Sequence, residues 1–175
     1  DVLLGGAQKY LLGSSGVGFM YVRNEIIQKL QSTTSGWFCQ ENINAMDIYA
    51  NQPSMTARRF EGGTPNVPNL YAVIAGVKLI QSIGVDNIAE LTEALKAGVK
   101  QRGFKLATHP DGRYHGPMIA IKSTDMYKLV ATLAEEGIVT SCRDGNLRVS
   151  MHIYNNQADI EQLLQALTKH KNLLA

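Results

Sequence analysis

Lys9 is the side chain of this 175-residue sequence whose surroundings most favour chemistry. It follows the apolar residues 2–4 and precedes residues 13–18, three of which are glycine. A second apolar run, 17–22, leads away, so the pattern predicts a hairpin-like pair of strands with Lys9 at its mouth. Glycines let a ligand approach the backbone closely, and an amine there could act as a nucleophile. The alternative is an ordinary solvated charge at a strand end.

A second candidate site lies at residues 62–66, GGTPN, just before a predicted helix that has Pro68 in its first turn. The N-terminus of a helix presents unpaired N–H donors and the positive end of the helix dipole, which attract phosphate. Thr64 adds a hydroxyl group. Upstream, Arg59 could pair with Glu61 or line the site. The alternative for the whole segment is a plain helix entry after a glycine turn.

Arg148 is the third candidate and lies in a predicted strand over residues 147–152. Its guanidinium group offers a planar fork of donors that matches a carboxylate through two parallel hydrogen bonds. The alternatives for an arginine in a strand are a surface charge and a structural ion pair.

Taken together, three segments resemble the class V aminotransferase family of fold-type I, pyridoxal-phosphate enzymes. They are residues 5–23 (GGAQKYLLGSSGVGFMYVR), 58–67 (RRFEGGTPNV) and 146–155 (NLRVSMHIYN). The family includes cysteine desulfurases, kynureninases and isopenicillin-N-epimerase-like proteins, and it comprises transferases and lyases. The motifs occur in the order found in the family, so the resemblance covers essentially the whole chain.

The resemblance implies an α/β fold in two domains. Residues 1–83 would be the C-terminal part of the large pyridoxal-phosphate domain, and residues 84–175 a small α+β domain of antiparallel strands covered by helices. Family members are longer than this chain, which is therefore expected to be the C-terminal half of such an enzyme. Alone it is expected to be a poor catalyst.

The resemblance also implies roles for particular residues. Lys9 would form a Schiff base with pyridoxal 5'-phosphate and later move the α proton of an amino-acid substrate. Gln8 stands where the family often has a histidine that contacts the cofactor phosphate. Gly63 and Thr64 would reach across a homodimer interface to the phosphate in the other subunit, and Arg148 would bind the substrate α-carboxylate. Partial burial of Lys9 among Leu3, Leu4, Leu11 and Leu12 is expected, which would favour the neutral amine.

Cys142 bears on which reaction is catalysed, because the cysteine desulfurases of this family carry a nucleophilic cysteine on a mobile loop. Only residues 143–146 separate Cys142 from Leu147, which leaves no room for such a loop. A small buried thiol is expected instead. Transamination, epimerisation and elimination are therefore favoured over desulfuration. A free-standing α+β interaction module without cofactor is the alternative from a different class.

The composition indicates an ordinary globular protein, with 45% hydrophobic and 18% charged residues. A formal net charge of +2 and the lack of a basic stripe argue against nucleic-acid binding. No apolar stretch is long enough to predict a membrane span. Cys39 and Cys142 are predicted to be reduced thiols of a cytoplasmic protein. No metal site is predicted.

Hydrophobic periodicity and turn residues predict the remaining elements. Residues 31–67 carry no clear period and are expected to be irregular. Asn24, Thr124 and Asn156 are predicted helix caps. Three predicted helices begin after these caps, and two more cover residues 68–84 and 86–102. The later predicted strands cover residues 104–107, 118–121, 138–142 and 147–152.

Overall fold

The computed structural model describes residues 1–175, which form two compact units, Asp1–Leu79 and Ile80–Ala175. The secondary structure is mixed α/β. The strands are β1 Val2–Gly6, β2 Gly18–Val22, β3 Met118–Lys122, β4 Ser141–Arg143 and β5 Asn146–Ser150. The helices are α1 Asn24–Ile27, α2 Val67–Ile83, α3 Val85–Gln101, α4 Met126–Glu135 and α5 Gln157–Lys169. The units part within α2, and the domain boundary at residues 83 and 84 stays a prediction.

The first unit begins with the predicted hairpin. Strands β1 and β2 pair antiparallel, with Gly5 opposite Phe19 and Gly6 opposite Gly18. Both faces of this two-stranded ribbon carry exposed apolar side chains, namely Val2, Leu3, Leu4, Phe19, Met20 and Tyr21. The stretch predicted to be irregular contains only an isolated bridge between Gln40 and Pro53 and the 3₁₀ turn Ala57–Phe60.

The second unit is built on a three-stranded antiparallel sheet in the order β3-β5-β4. Its strands alternate buried and exposed residues, as expected for a sheet with one covered face. Helix α3 packs against α5 and β3, while α4 packs against β4 and β5. The core comprises Ile88, Leu95, Val99, Ile119, Ile121, Leu129, Leu133, Leu147, Ile160 and Leu167.

The helix caps follow the sequence prediction in part. The predicted capping box is confirmed, because the Asn156 side chain accepts from the backbone of Asp159 and the Asp159 carboxylate accepts from the backbone of Asn156. The prediction that Thr124 caps α4 is wrong. Asp125 caps α4 by accepting from Lys128 N at 3.1 Å, and the Thr124 hydroxyl instead donates to a backbone carbonyl. Asn24 is the first helical residue of α1, which has no side-chain cap.

Two predicted strands are shorter in the structure. The segment 104–107 forms only an isolated bridge, between Leu106 and Ile121. The strand predicted over 138–142 starts at Ser141, because the chain leaves α4 through Gly137 and Ile138 N still donates to the helix at Leu133 O. No single helix is long and apolar enough to cross a membrane, and α2 and α3 satisfy that length and composition only when taken together as a bent pair.

Candidate active site

The loop that carries Lys9 is fixed by its own backbone. Ala7, directly after β1, is fully buried and its carbonyl accepts from Gly13 N at 2.9 Å. Leu12 N donates to Lys9 O at 3.0 Å, and Leu12 adopts a left-handed conformation with φ of 55°. A leucine in this region is uncommon, and such backbone strain concentrates at functional sites. The loop therefore presents Lys9 from a constrained turn.

Helix α2 packs against this loop. Gly76 is buried, and a Cβ atom there would clash with the carbonyl oxygen of Leu11. The Asn69 side chain, in the first turn of the same helix, donates to Ser15 O at 2.7 Å. Glycine at position 76 thus allows the helix and the loop to approach closely. Sequence reasoning missed Gly76, although a glycine inside a helical pattern is itself a signal of close packing.

The expected partial burial of Lys9 is wrong, because the Lys9 side chain is exposed. Leu3 and Leu4, which were expected to cover it, belong to the two-stranded ribbon and are themselves 58% and 69% exposed. The 3₁₀ turn Ala57–Phe60 contacts β2 but leaves these leucines exposed, so they cannot exclude water from the amine.

Lys9 borders a cavity of about 440 Å³ whose other lining residues are Gly6, Gln8, Gly16 and Val17. Three of these wall residues, Gly6, Gly16 and Val17, also line a larger groove of about 1080 Å³.

The turn before α2, including Gly63 and Thr64, also lines the larger groove. Both residues are exposed, and their backbone N–H groups donate no hydrogen bond within the chain. The helix that follows is started by Asn66, whose carbonyl accepts from Leu70 N at 3.1 Å. Lys9 and the GGTPN turn therefore line two cavities of the first unit that share wall residues.

Arg59 takes neither of the two roles considered from the sequence. It forms no ion pair with Glu61, and its Nη1 donates to Gln28 Oε1 at 2.6 Å. Its guanidinium Nε is buried without a hydrogen-bond partner. Arg59 lines a different cavity of about 320 Å³, which Cys39 also lines, and it is not among the residues that line the larger groove.

Arg148 lies on the central strand of the second unit, between Ala120 of β3 and Ser141 of β4. It is half-buried, and its side chain makes no hydrogen bond or ion pair with the chain. Its strand neighbours Leu147 and Val149 are buried on the opposite, core face. A half-buried guanidinium with no internal partner and small neighbours is suited to bind an external carboxylate.

Cys142 lies opposite Leu147 in the β4–β5 pair and is half-buried on the core side of the sheet. Asp144 and Gly145, with φ of 52° and 74°, join the two strands in a tight turn. The structure thus contains no loop that could carry Cys142 away from the sheet. His152 is buried, and its ring stacks on Tyr154 with 4.8 Å between the centroids.

Comparison with known proteins confirms the resemblance. Residues 1–163 match the family model described as Aminotransferase class-V. The chain is 32% identical to the uncharacterized aminotransferase YcbU of Bacillus subtilis, over 98% of this chain and 46% of the relative. It is 26% identical to a probable cysteine desulfurase of Ureaplasma parvum, again over 98% of this chain and 46% of the relative.

Solved structures share the fold. The cysteine desulfurase of Thermococcus onnurineus superimposes with a TM-score of 0.78 at 20% identity, covering 99% of this chain and 48% of that one. The cysteine desulfurase CsdA of Escherichia coli gives 0.76 at 19% identity, covering 100% and 47%. A third, C-DES, was solved with glycine covalently linked to its PLP cofactor and gives 0.73 at 20% identity, covering 90% and 43%.

The chain thus spans about half the length of the curated relatives it matches. A match over nearly the whole chain does not favour a free-standing interaction module, and the family is PLP-dependent. This chain belongs to the class-V aminotransferase family.

Proposed function

We propose that this chain forms part of a PLP-dependent transferase or lyase that acts on an amino acid through an imine at Lys9. The observation that carries the proposal is the placement of an exposed lysine on a constrained loop beside a cavity lined by glycines. An exposed primary amine can reach an aldehyde, and neighbours without side chains leave room for a planar ring.

The residues present fit the cofactor. PLP supplies an aldehyde for imine formation and a ring that withdraws electrons from the substrate α carbon. Its phosphate needs donors, and the free N–H groups of Gly63 and Thr64 in the turn before α2 offer them, together with the Thr64 hydroxyl. Gln8 lines the Lys9 cavity and offers a neutral amide donor where the family often has histidine.

In this proposal two residues act on the substrate. Arg148 binds the α-carboxylate, which fixes the orientation of the bonds at the α carbon. The Lys9 amine, once released from the cofactor, takes or returns the proton at that carbon. The partial burial that would favour the neutral amine is absent from this chain, so we propose that other parts of the enzyme provide it and that the chain alone is inactive.

We further propose that the enzyme is a homodimer whose phosphate site is shared across the subunits through Gly63 and Thr64. Support comes from the irregular segment, where Ile48 and Tyr49 are 85% and 94% exposed, as expected of residues that a partner covers. A cytoplasmic location is proposed because Cys39 and Cys142 are unpaired, as is typical of a reducing compartment.

Borohydride reduction tests the imine proposal. The whole protein, purified with PLP, is reduced and digested, and the labelled peptide is identified by mass spectrometry. We expect the label on Lys9 and its loss in Lys9→Ala. Lys29→Ala is the matched control, because Lys29 is an exposed lysine of the same unit that lines none of the cavities around Lys9. Label retained in Lys9→Ala would refute the assignment.

Desulfuration is the second candidate function, because several relatives are named probable cysteine desulfurases. The tight β4–β5 turn and the core-facing Cys142 argue against that thiol as its nucleophile. Release of sulfide and alanine from cysteine by the whole protein, in the presence of a thiol that reduces the enzyme persulfide, is compared with that by its Cys142→Ala variant to separate the possibilities. Sulfide release that is lost in Cys142→Ala would favour the desulfurase despite the missing loop.

A further inference from the structure

The sheet of the second unit presents an unusual array of cations on its non-core face. Segment 105–107 runs beside β3, because Ala107 N donates to Ala120 O and Lys122 N donates to Lys105 O, both at 2.8 Å. Together with the register of β3, β5 and β4, this places side chains of the same face in two neighbouring rows. The arginine row is Ala107, Ala120, Arg148 and Ser141, and the lysine row is Lys105, Lys122, Asn146 and Arg143.

The two rows contain four cations and no acidic side chain. None of the four takes part in an ion pair or side-chain hydrogen bond within the chain. Lys105 and Lys122 stand directly opposite each other, and like charges in that position destabilise a sheet. An array that costs stability and is left unneutralised by the protein is a feature expected of an anion-binding surface.

The arginine row and the lysine row differ in solvent exposure. Arg148 is half-buried and flanked by small side chains, whereas Lys105, Lys122 and Arg143 are exposed. The rows are two residues apart along the strand, which corresponds to about 7 Å at 3.4 Å per residue. A carboxylate on Arg148 therefore leaves the cations of the lysine row within reach of a second acid group on the same small molecule, since lysine and arginine side chains are long and flexible.

We propose that the lysine row binds a second acid group of the substrate, so that the substrate class is a dicarboxylic amino acid. The inference rests on the proposed function, in which Arg148 binds the α-carboxylate. Lys122 and Arg143 flank Asn146 from its two neighbouring strands and are the specificity-determining residues. Lys105 adds a positive charge from the segment that runs along the outer edge of β3. None of these side chains takes part in the chemistry at the α carbon.

Binding of simple acids tests the proposal without cofactor or turnover. Ligand-observed NMR measures glutarate and pentanoate binding to the 175-residue chain at constant ionic strength, since these acids have the same carbon number and differ by one carboxylate. We expect glutarate to bind about tenfold more tightly, because the second acid group gains interactions with several exposed cations. In Lys122→Gln/Arg143→Gln the preference should fall to about twofold or less.

Lys100→Gln is the matched control for charge, because it removes an exposed lysine from α3 outside the two rows. It should keep the preference for glutarate. Circular dichroism checks that each variant is folded.

The outcomes separate the inference from the proposed function. Equal binding of both acids, with both lost in Arg148→Gln, would overturn the lysine row as a substrate site and leave the role of Arg148 intact. Undiminished binding of both acids in Arg148→Gln would overturn both. Competition by inorganic phosphate as effective as that by glutarate would show a general anion surface and would also overturn the dicarboxylate assignment.

Discussion

Replacing Lys96 by methionine would remove a buried ammonium group from the second unit while keeping most of the side-chain volume. Lys96 is 2% exposed, and its Nζ lies 2.7 Å from Glu93 Oε1 and 2.9 Å from Pro110 O. The third partner is His115 Nε2 at 2.8 Å. Since an ammonium group only donates, His115 Nε2 must accept, which places its proton on Nδ1, 2.7 Å from Gly116 O. One amine thus fastens α3 to the loop that precedes β3.

The energetic effect of Lys96→Met is a difference between two large terms. Loss of the donor leaves the partly buried acceptors Pro110 O and His115 Nε2 without their partner, at up to about 1–3 kcal/mol each. The ion pair adds little, about 0.2–1 kcal/mol, because the Glu93 side chain is 56% exposed and can be solvated. Methionine recovers part of the desolvation cost of the ammonium. We therefore expect a net loss of about 2 kcal/mol in the free energy of unfolding.

Urea unfolding followed by far-ultraviolet circular dichroism measures this loss, because α3 contributes to the helical signal. Lys100→Met is the matched control on the same helix, and as an exposed substitution it should change stability by at most about 0.5 kcal/mol. If Lys96→Met were as stable as the unmodified chain, or more stable, the recovered desolvation cost would at least offset the lost hydrogen bonds and the reasoning would be refuted.

Three further predictions concern other parts of the chain. Gly76→Ala should displace the Lys9 loop and lower the borohydride-trapped cofactor of the whole protein, whereas exposed Ala75→Ser should not. A hydrogen bond from His170 holds the pKa of Glu136 below its ordinary value of 4.5, so its stabilising contribution is present above that pH and is lost on acidification. The thermal unfolding temperature of Glu136→Gln should accordingly fall less on acidification below pH 4.5 than that of the unmodified chain. Ile48→Ser should reduce self-association of the chain in sedimentation, because it removes an exposed apolar side chain.

Local features of the fold could be predicted from the sequence because they depend on neighbouring residues. The first hairpin follows from two apolar runs around glycines, and the cap of α5 follows from Asn156 and Asp159 three residues apart. Helix α2 was predicted within one residue at each end, because its apolar period and Gly84 mark its limits. The Thr124 cap failed because two adjacent residues could cap the same helix, and only tertiary contacts decided between them.

Distant pairings could not be predicted in the same way. The burial expected for Lys9 required a neighbour for the ribbon that this chain does not contain, and apolar residues in sequence do not reveal what covers them. The partners of Lys96 lie 14 and 19 residues away, across a loop without periodicity.

Arg148 illustrates how register adds chemical information to a residue that sequence alone can single out. As one residue in a strand it could equally be a surface charge or part of an ion pair. The pairing of β5 with both neighbours surrounds it with small side chains and leaves it without an internal partner. The same pairing brings Lys122 and Arg143, 21 residues apart in sequence, to either side of Asn146. Substrate preference in this chain is therefore expected to depend on strand register, so that a slip of one residue would turn the cations into the core.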